Sequence, residues 1–177
     1  MSRENLGLLH LYTGGGAGKT TAAVGLGVRA AGRGLQVVMA QFLKSQDTGE
    51  LAGLEALGVR VLRVKRRFPF VFQMSSEEKA LQTQLDNELL TEALGLCREG
   101  GCDLLILDEI AAAYTLEQVD RRQVDSLLAD RPRGVELVLT GRDMPPAWLE
   151  LADYVTEMRK VKHPYSRGVA ARKGIEW

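Results

Sequence analysis

Residues 8–21 read LLHLYTGGGAGKTT: a short apolar run, a glycine cluster and the beginning of a helical pattern. The apolar run at 8–12 is typical of a buried strand, and alanines, leucines and valines recur at helical spacing over residues 19–33. A strand, a tight glycine loop and a helix, in this order, form a phosphate-binding unit. The strict GxxxxGK[ST] pattern is missed only at its first position, which is Thr13.

Each residue type in this loop has a physical use. Glycines let the backbone curl so that successive N–H groups face phosphate oxygens, and the following helix adds the positive end of its dipole. Lys19 supplies a mobile positive charge, and the Thr20 hydroxyl is placed to bind Mg²⁺. A glycine-rich turn that binds nothing is the alternative. The pattern favours a loop that binds ATP through Thr13, Gly14, Gly15, Gly16, Ala17, Gly18, Lys19, Thr20 and Thr21.

A second signal is the run LLILDE at residues 104–109, in which an apolar strand ends in two carboxylates. The carboxyl ends of the strands form the ligand-binding edge of an open α/β sheet. Asp108 can hold Mg²⁺ directly or through water, and Glu109 adds a metal ligand or a base. The alternative is that these two acids only stabilise the N-terminus of the next helix through its dipole.

The rest of the chain alternates between strand and helix patterns. Ser75 with Glu78 forms a capping box that predicts a long helix to about residue 98, and Thr115 with Gln118 suggests a second box. The further strands are expected over residues 36–42, 59–64, 103–107, 135–140 and, at an edge, 154–158. The further helices are expected over residues 50–57, 117–129 and from Pro145 and Pro146.

This alternation, with continuous apolar strands, predicts an α/β fold with a mostly parallel sheet and helices on both faces. Together with the phosphate loop it predicts a P-loop NTPase-like, RecA-like architecture. The length of 177 residues fits a single domain over residues 1–177.

Composition excludes several classes of partner. The chain has 23 basic and 23 acidic residues, so no global field draws it to nucleic acid or to an anionic membrane. No apolar run approaches the roughly 20 residues that span a bilayer. Cys97 and Cys102 match neither a CxxC pair nor a metal cluster, which favours reduced thiols and a cytoplasmic location.

Three further residues lie near these patterns. Arg142 follows a predicted strand at the same edge as the loop and can reach a phosphate, with an ordinary surface arginine as the alternative. His10 lies inside the first strand and is interpreted as a satisfied core histidine rather than a ligand. After the basic residues at 63–67, the apolar run from Phe68 suits a large apolar substrate better than a phosphate.

Taken jointly, these motifs resemble the ATP:corrinoid adenosyltransferase family of bacterial cobalamin assembly and salvage. The resemblance runs nearly end to end and rests on sequence matches at residues 13–21, Gln41, Phe42, Lys44, Gly49, Glu50, 107–109, 140–142, Ala152, Asp153, 161–164, Gly168, Val169, Gly174 and Ile175. The absence of the first loop glycine is itself a trait of that family. A departure is Ala17, where many relatives carry a lysine.

The resemblance implies that Co(I) of a reduced corrinoid attacks C5′ of ATP and that triphosphate leaves. It implies catalytic roles for Lys19, Thr20 and Glu109, and a Mg²⁺ site at Thr20, Asp108 and Glu109. It also places Phe68 and Phe70 in an aromatic wall against the corrinoid, with ordinary packing as the alternative. A homodimer and a flavoprotein reductase partner are further expectations from the family.

Two other functions stay open at this point. A P-loop kinase or ATPase would use Asp108 and Glu109 toward a phosphoryl acceptor or water. A nucleotide-gated carrier would bind ATP and a corrinoid without catalysing a reaction.

Overall fold

The structure is a computed structural model that describes residues 5–44, 46–69 and 71–176. The strands are β1 (Leu9–Thr13), β2 (Val37–Gln41), β3 (Arg60–Arg63), β4 (Leu104–Asp108), β5 (Glu136–Thr140) and β6 (Tyr154–Glu157). The α-helices are α1 (Lys19–Ala31), α2 (Glu50–Ala56), α3 (Ser76–Arg98), α4 (Ile110–Thr115), α5 (Arg121–Ala129) and α6 (Pro146–Leu151). Short 3₁₀ turns lie at Val71–Gln73 and Pro164–Arg167.

The six strands form one parallel sheet in the order β3-β2-β4-β5-β1-β6. Strand β5 therefore lies between β1, which precedes the glycine loop, and β4, which ends in Asp108. Because all strands are parallel, their carboxyl ends meet at one edge of the sheet. The topology is that of a RecA-like P-loop protein, as the sequence predicts.

Helices cover both faces of the sheet, and the side-chain alternation of β4 shows how. Leu105 and Leu107 pack into the core cluster beneath α3, α4, α5 and α6. Leu104 and Ile106 point the other way, into a second cluster with α1 and α2. All four side chains are at most 2% exposed, which explains why the strand sequence is continuously apolar.

Helix α3 begins where the sequence predicts. Ser75 Oγ accepts from the Glu78 amide at 3.2 Å, and Glu78 Oε2 accepts from the Ser75 amide at 2.9 Å. This reciprocal pair is a capping box, which satisfies two helix-end donors. The expected long helix is confirmed.

The expected capping box at Thr115 and Gln118 is wrong. The chain instead forms α4 directly after Glu109, and Glu117 adopts a left-handed φ of 56°, which an α-helix cannot accommodate. The next helix, α5, begins at Arg121, where the Asp120 carboxylate accepts from the Arg122 amide at 2.9 Å. Gln118 is buried and its side chain accepts from Thr83 across the core, so it is not free to cap a helix.

Strand β6, His10 and the two cysteines differ in their surroundings. Strand β6 lies at the edge and its four residues are exposed, as predicted. His10 is satisfied, because its Nε2 lies 2.7 Å from Glu136 Oε1 and its ring stacks on Tyr154. Cys97 and Cys102 are buried free thiols. None of the helices in the described residues is long and apolar enough to cross a membrane.

Helix α3 carries an acidic side chain into the core. Asp86 has no exposure to solvent, Gln82 donates to its Oδ2 at 2.8 Å, and its Oδ1 has no hydrogen-bond partner within the described residues. Burial raises the pKa of Asp86 to about 6, and the bond from Gln82 offsets only part of that effect. The ionised form of Asp86 is therefore unfavourable in the folded protein.

Asp86→Asn is expected to stabilise the protein at pH 8 by roughly 1–3 kcal/mol and to change little at pH 4. The folded pKa of Asp86 lies above its unfolded value, so the folded state binds more protons between the two values. Wild-type stability therefore falls as the pH rises from about 4 through 6, and the neutral amide removes that loss. Urea denaturation at pH 4, 6 and 8 measures the effect.

The matched control is Asp130→Asn, which removes an exposed carboxylate at the end of α5. It should change the free energy of unfolding by a similar small amount at each pH. If Asp86→Asn also shifted stability equally at all three pH values, the raised pKa would be disproved.

Candidate functional site

The glycine loop between β1 and α1 is held by two backbone contacts from other strand ends. The Gly14 amide donates to the carbonyl of Arg142 at 3.2 Å, and the Gly16 amide donates to that of Met158 at 2.6 Å. A Cβ at either glycine would lie 2.6 Å or less from the Met158 carbonyl oxygen. These two glycines are therefore needed for the close approach of the chain that follows β6, a use that sequence reasoning had not assigned to them.

The other loop residues keep their amides available. Within the described part of the chain, the amides of Gly15, Ala17 and Gly18 meet no hydrogen-bond acceptor. Gly18 has a φ of 109°, which favours glycine, and directly precedes the 13-residue helix α1. Unpaired amides at the N-terminus of a helix create a site for an anion such as a phosphate.

Lys19 lies folded into the loop. Its Nζ donates to the carbonyls of Gly14 at 2.7 Å and Gly16 at 2.9 Å, and the residue is 7% exposed. Burial lowers the pKa of Lys19, while the charges of Glu109 and Asp108 partly offset that shift and Arg142 adds to it. The ammonium of Lys19 therefore lies beside the loop, where a bound phosphate would attract it.

The Asp108 carboxylate lies at the centre of the site and has no exposure to solvent. Four side chains donate to it, from α1, from β2 and the chain after it, and from β5. The closest distances to an Asp108 oxygen are 2.9 Å for Thr20 Oγ1, 3.3 Å for Gln41 Nε2, 2.5 Å for Lys44 Nζ and 2.7 Å for Thr140 Oγ1. The structure thus brings Thr20 and Asp108 together, as the sequence predicts.

Glu109 follows directly and adopts an unusual backbone conformation. Its φ of 61° is left-handed, and its amide donates to Thr140 Oγ1 at 2.9 Å. A glutamate in this region costs free energy, and such residues persist where the surrounding structure holds them. Glu109 is close enough to Lys19 to raise the pKa of that lysine, so it belongs to the same charged cluster.

Arg142 joins the site through its backbone as well as its charge. Its carbonyl accepts from the Gly14 amide at 3.2 Å and from Thr13 Oγ1 at 2.9 Å. Its guanidinium lies near enough to Lys19 to lower the pKa of the lysine. The side chain of Arg142 is exposed to solvent.

The donor set fits a magnesium ion that is completed by a nucleotide. Mg²⁺ favours oxygen ligands, keeps several waters, and is held in nucleotide sites by one or two protein groups together with phosphates. Thr20 Oγ1 and the Asp108 carboxylate supply such oxygens, with Glu109 next in the chain. In the described residues, no group of three or more His, Cys, Asp or Glu side chains is arranged to hold a metal ion.

Three side chains in contact with Asp108 were not among the residues proposed for the site from sequence: Gln41, Lys44 and Thr140. Gln41 ends the second strand, Lys44 lies three residues beyond it, and Thr140 ends the fifth. Their signal was available, because polar residues at the carboxyl ends of parallel strands meet at one edge. Without the strand order, however, the sequence does not show which strand ends are neighbours.

A cleft of ≈ 880 Å³ opens beside the phosphate loop. Thr20 and Thr21 line one side, and the segment with Phe68 and Phe72 lines another. Phe68 is half-buried and the guanidinium of Arg66 lies 5.4 Å from its ring centroid. Phe70, expected in the same wall, lies outside the described residues.

The C-terminal segment also reaches this cleft. Gly174, Ile175 and Glu176 contribute to its lining. Two ion-pair contacts, at 2.8 and 3.2 Å, join Arg172 to Glu176 and close a turn there. The chain that leaves β6 beside the glycine loop therefore returns to the lining of the same cleft.

Comparison with solved structures agrees with the architecture. The ATPase 2 and 3 segment of EssC from Geobacillus thermodenitrificans superposes with a TM-score of 0.51 at 15% identity. The match covers 95% of this chain and 35% of the EssC chain. At that identity the similarity concerns the fold alone.

Comparison with sequences gives a more specific result. The family model of the ATP:corrinoid adenosyltransferase BtuR/CobO/CobP matches residues 5–177. A corrinoid adenosyltransferase of Escherichia coli K12 is 32% identical over 177 residues, covering 99% of this chain and 88% of the relative. The corrinoid adenosyltransferase CobA of Salmonella typhimurium is 33% identical over 180 residues, with the same coverage of both chains. The chain therefore belongs to the ATP:corrinoid adenosyltransferase family of enzymes.

Proposed function

We propose that this protein transfers the 5′-deoxyadenosyl group of ATP to Co(I) of a reduced corrinoid and releases triphosphate. Membership of the family supports adenosyl transfer to a corrinoid in general. The observation that carries the fuller proposal is the shared cleft, which is lined by Thr20 and Thr21 at the end of the phosphate loop and by the apolar segment with Phe68 and Phe72. Such a cleft suits a reaction between a triphosphate nucleotide and a large apolar ring.

The loop side is suited to the leaving group. Departing triphosphate is highly charged, and preorganised donors stabilise developing charge better than water does. The unpaired amides at Gly15, Ala17 and Gly18, the N-terminus of α1 and the ammonium of Lys19 supply this stabilisation. Bound at Thr20 and Asp108, Mg²⁺ would neutralise further charge on the phosphates.

The transfer needs no base from the protein. Co(I) of the substrate donates an electron pair to C5′, a cobalt–carbon bond forms, and the bond between C5′ and the triphosphate oxygen breaks. The cobalt is formally oxidised to Co(III), and the electron pair of the broken bond leaves with triphosphate. Asp108 is given no role as a base in this scheme, and its buried carboxylate accepts hydrogen bonds from four side chains.

The protein's main contribution is therefore position. Holding two reactants at the right distance and angle lowers the barrier by converting a bimolecular step into one within a complex. We propose that the residues at 13–21 and Arg142 fix the triphosphate, and that Phe68 and the neighbouring Phe70 fix the corrinoid. Glu109 is proposed as a further ligand of the metal shell.

The family resemblance supports three more proposals about the setting of this reaction. The enzyme acts in the cytoplasm, as a homodimer, and receives its Co(I) substrate through a flavoprotein reductase. The physiological corrinoid is cobalamin, cobinamide or a precursor.

The direct test is an anaerobic assay with ATP, Mg²⁺ and chemically reduced cobalamin. The expected result is the spectral change to adenosylcobalamin with one triphosphate released for each product. Release of diphosphate, or turnover without any corrinoid, would instead support a kinase or ATPase. Tight binding of both substrates with no product, for cobalamin and cobinamide alike, would favour a carrier.

Lys19→Ala is expected to lower kcat by about a hundredfold or more, because it removes a preorganised donor to the leaving triphosphate. The loss should appear in kcat as well as in the KM for ATP. Lys79→Ala is the matched control, since this lysine is exposed on α3, away from the loop. A near-normal kcat for Lys19→Ala would contradict its role.

Phe68→Ala is expected to raise the KM for the corrinoid by about tenfold while the KM for ATP changes little, because the ring contributes apolar contact to one substrate only. Steady-state kinetics with each substrate varied in turn provides the measurement. Thermal unfolding of the same variant is the control. If the melting temperature falls and both KM values stay unchanged, Phe68 is a packing residue.

A further inference from the structure

Lys44 takes an unexpected place in the site. Its Nζ lies 2.5 Å from Asp108 Oδ2 and 3.0 Å from Thr20 Oγ1, while a quarter of its side chain stays exposed. These two oxygens are the ones that the loop and strand motifs predict as ligands of Mg²⁺. The ammonium of Lys44 therefore stands where the metal ion would bind.

The reason for a cation at this place is the burial of Asp108. An ionised carboxylate that is fully removed from water is strongly destabilising unless a charge or several donors compensate it. The neutral donors to Asp108 are the hydroxyls of Thr20 and Thr140 and the amide of Gln41. Within the described residues, Lys44 is the one positively charged side chain that pairs with this carboxylate. Lys44 is the counter-ion of Asp108 when no metal is bound.

Lysine and magnesium cannot share this position. Two cations about 3 Å apart repel each other strongly at the low effective dielectric of a partly buried site. When Mg²⁺ binds Thr20 and Asp108, the ammonium must leave, and the nearest new negative charge is the triphosphate that arrives with the metal. We propose that Lys44 is a tethered cation that occupies the metal position in the free enzyme and moves to the triphosphate when Mg²⁺ and ATP bind.

The backbone around Lys44 favours a movement of the side chain alone. Leu43 adopts a left-handed φ of 55°, an uncommon conformation for leucine that turns the chain toward the site. Arg63 Nη2 then donates to the carbonyl of Gln46 at 2.5 Å and lies 3.5 Å from that of Lys44. The main chain is thus held from β3, so in this proposal the ammonium moves by a change of side-chain rotamer.

This exchange deepens the proposed function and depends on it only for the identity of the nucleotide. Within the glycine loop at residues 13–21, Lys19 is the one lysine. In this chain Lys44 supplies a second mobile ammonium next to Thr20, in addition to Lys19. It would act as a positioning charge for the leaving triphosphate rather than as an acid or a base.

Metal binding without nucleotide tests the first half of the proposal. Lys44→Met keeps the length and apolar stem of the side chain and removes its charge. Titration with Mn²⁺, followed by electron paramagnetic resonance, should show tighter binding in the variant by about tenfold, because the competing cation is gone. Lys79→Met is the control and should bind Mn²⁺ as the wild type does. Equal or weaker Mn²⁺ binding by Lys44→Met would overturn the proposal.

Nucleotide binding tests the second half. Calorimetry with ATP and Mg²⁺, without corrinoid, should show that Lys44→Met binds ATP about tenfold more weakly, because a charge-assisted contact is lost. Unchanged ATP affinity would rule out the movement to the triphosphate. These measurements contain no corrinoid, so a failure of adenosyl transfer in the wild type would refute the proposed function without affecting this inference.

A measurement on the wild-type enzyme covers the case in which Lys44→Met does not fold with Asp108 unpaired. Brief acetylation followed by mass spectrometry reports how accessible each lysine amine is. Mg²⁺ alone should raise the labelling of Lys44 severalfold by displacing it, and Mg²⁺ with ATP should lower it again, while Lys79 stays constant. Labelling of Lys44 that does not respond to Mg²⁺ would overturn the exchange.

Discussion

A carboxylate with no exposure to water lies at the end of the interior strand β4, and a charge in that place must be matched by donors. The four side chains that match it come from α1, from β2 and the chain beyond it, and from β5. Asp108 therefore ties together the elements that surround the phosphate loop. Because the Asp108 carboxylate is buried, it needs donors, and the strand order brings these donors to it.

The backbone has an unusual conformation just after β2 and β4, the two strands that lead to this charged cluster. Leu43 follows β2 and Glu109 follows β4, and both hold positive φ values that cost free energy. These two strands are paired, with Gln41 opposite Asp108, so the two unusual residues stand side by side at one edge. Both residues lie directly beside a member of the charged cluster, Lys44 in one case and Asp108 in the other.

The glycines of the loop have two different roles, and the sequence motif alone does not show which glycine has which role. Gly14 and Gly16 allow the backbone beyond β6 to pass within hydrogen-bond distance, while Gly15 and Gly18 have no neighbour near the position of a Cβ. The first pair lies against the segment that follows β6, and that segment also lines the cleft at Gly174, Ile175 and Glu176. A structural link thus runs from the glycine loop to the lining of the cleft.

Sequence patterns alone predicted the α/β class, the parallel sheet, the phosphate loop, the acidic strand end and the cap of α3. These features depend on local spacing: apolar runs, glycine clusters and a box of four residues are complete within a few positions of the chain. The resemblance to a family of adenosyltransferases likewise came from such motifs taken together, and comparison with relatives confirmed the family.

Other features needed the tertiary structure. The interval between α4 and α5 was misassigned because Glu117 turns left-handed and Gln118 is drawn into the core, and neither effect is visible in local propensity. The partnership of Lys44 with Asp108 joins residues 64 positions apart and depends on β2 lying next to β4. Local motifs can be recognised from the order of the residues alone. The donors that compensate a buried charge come together only when strands that are distant in sequence pack side by side.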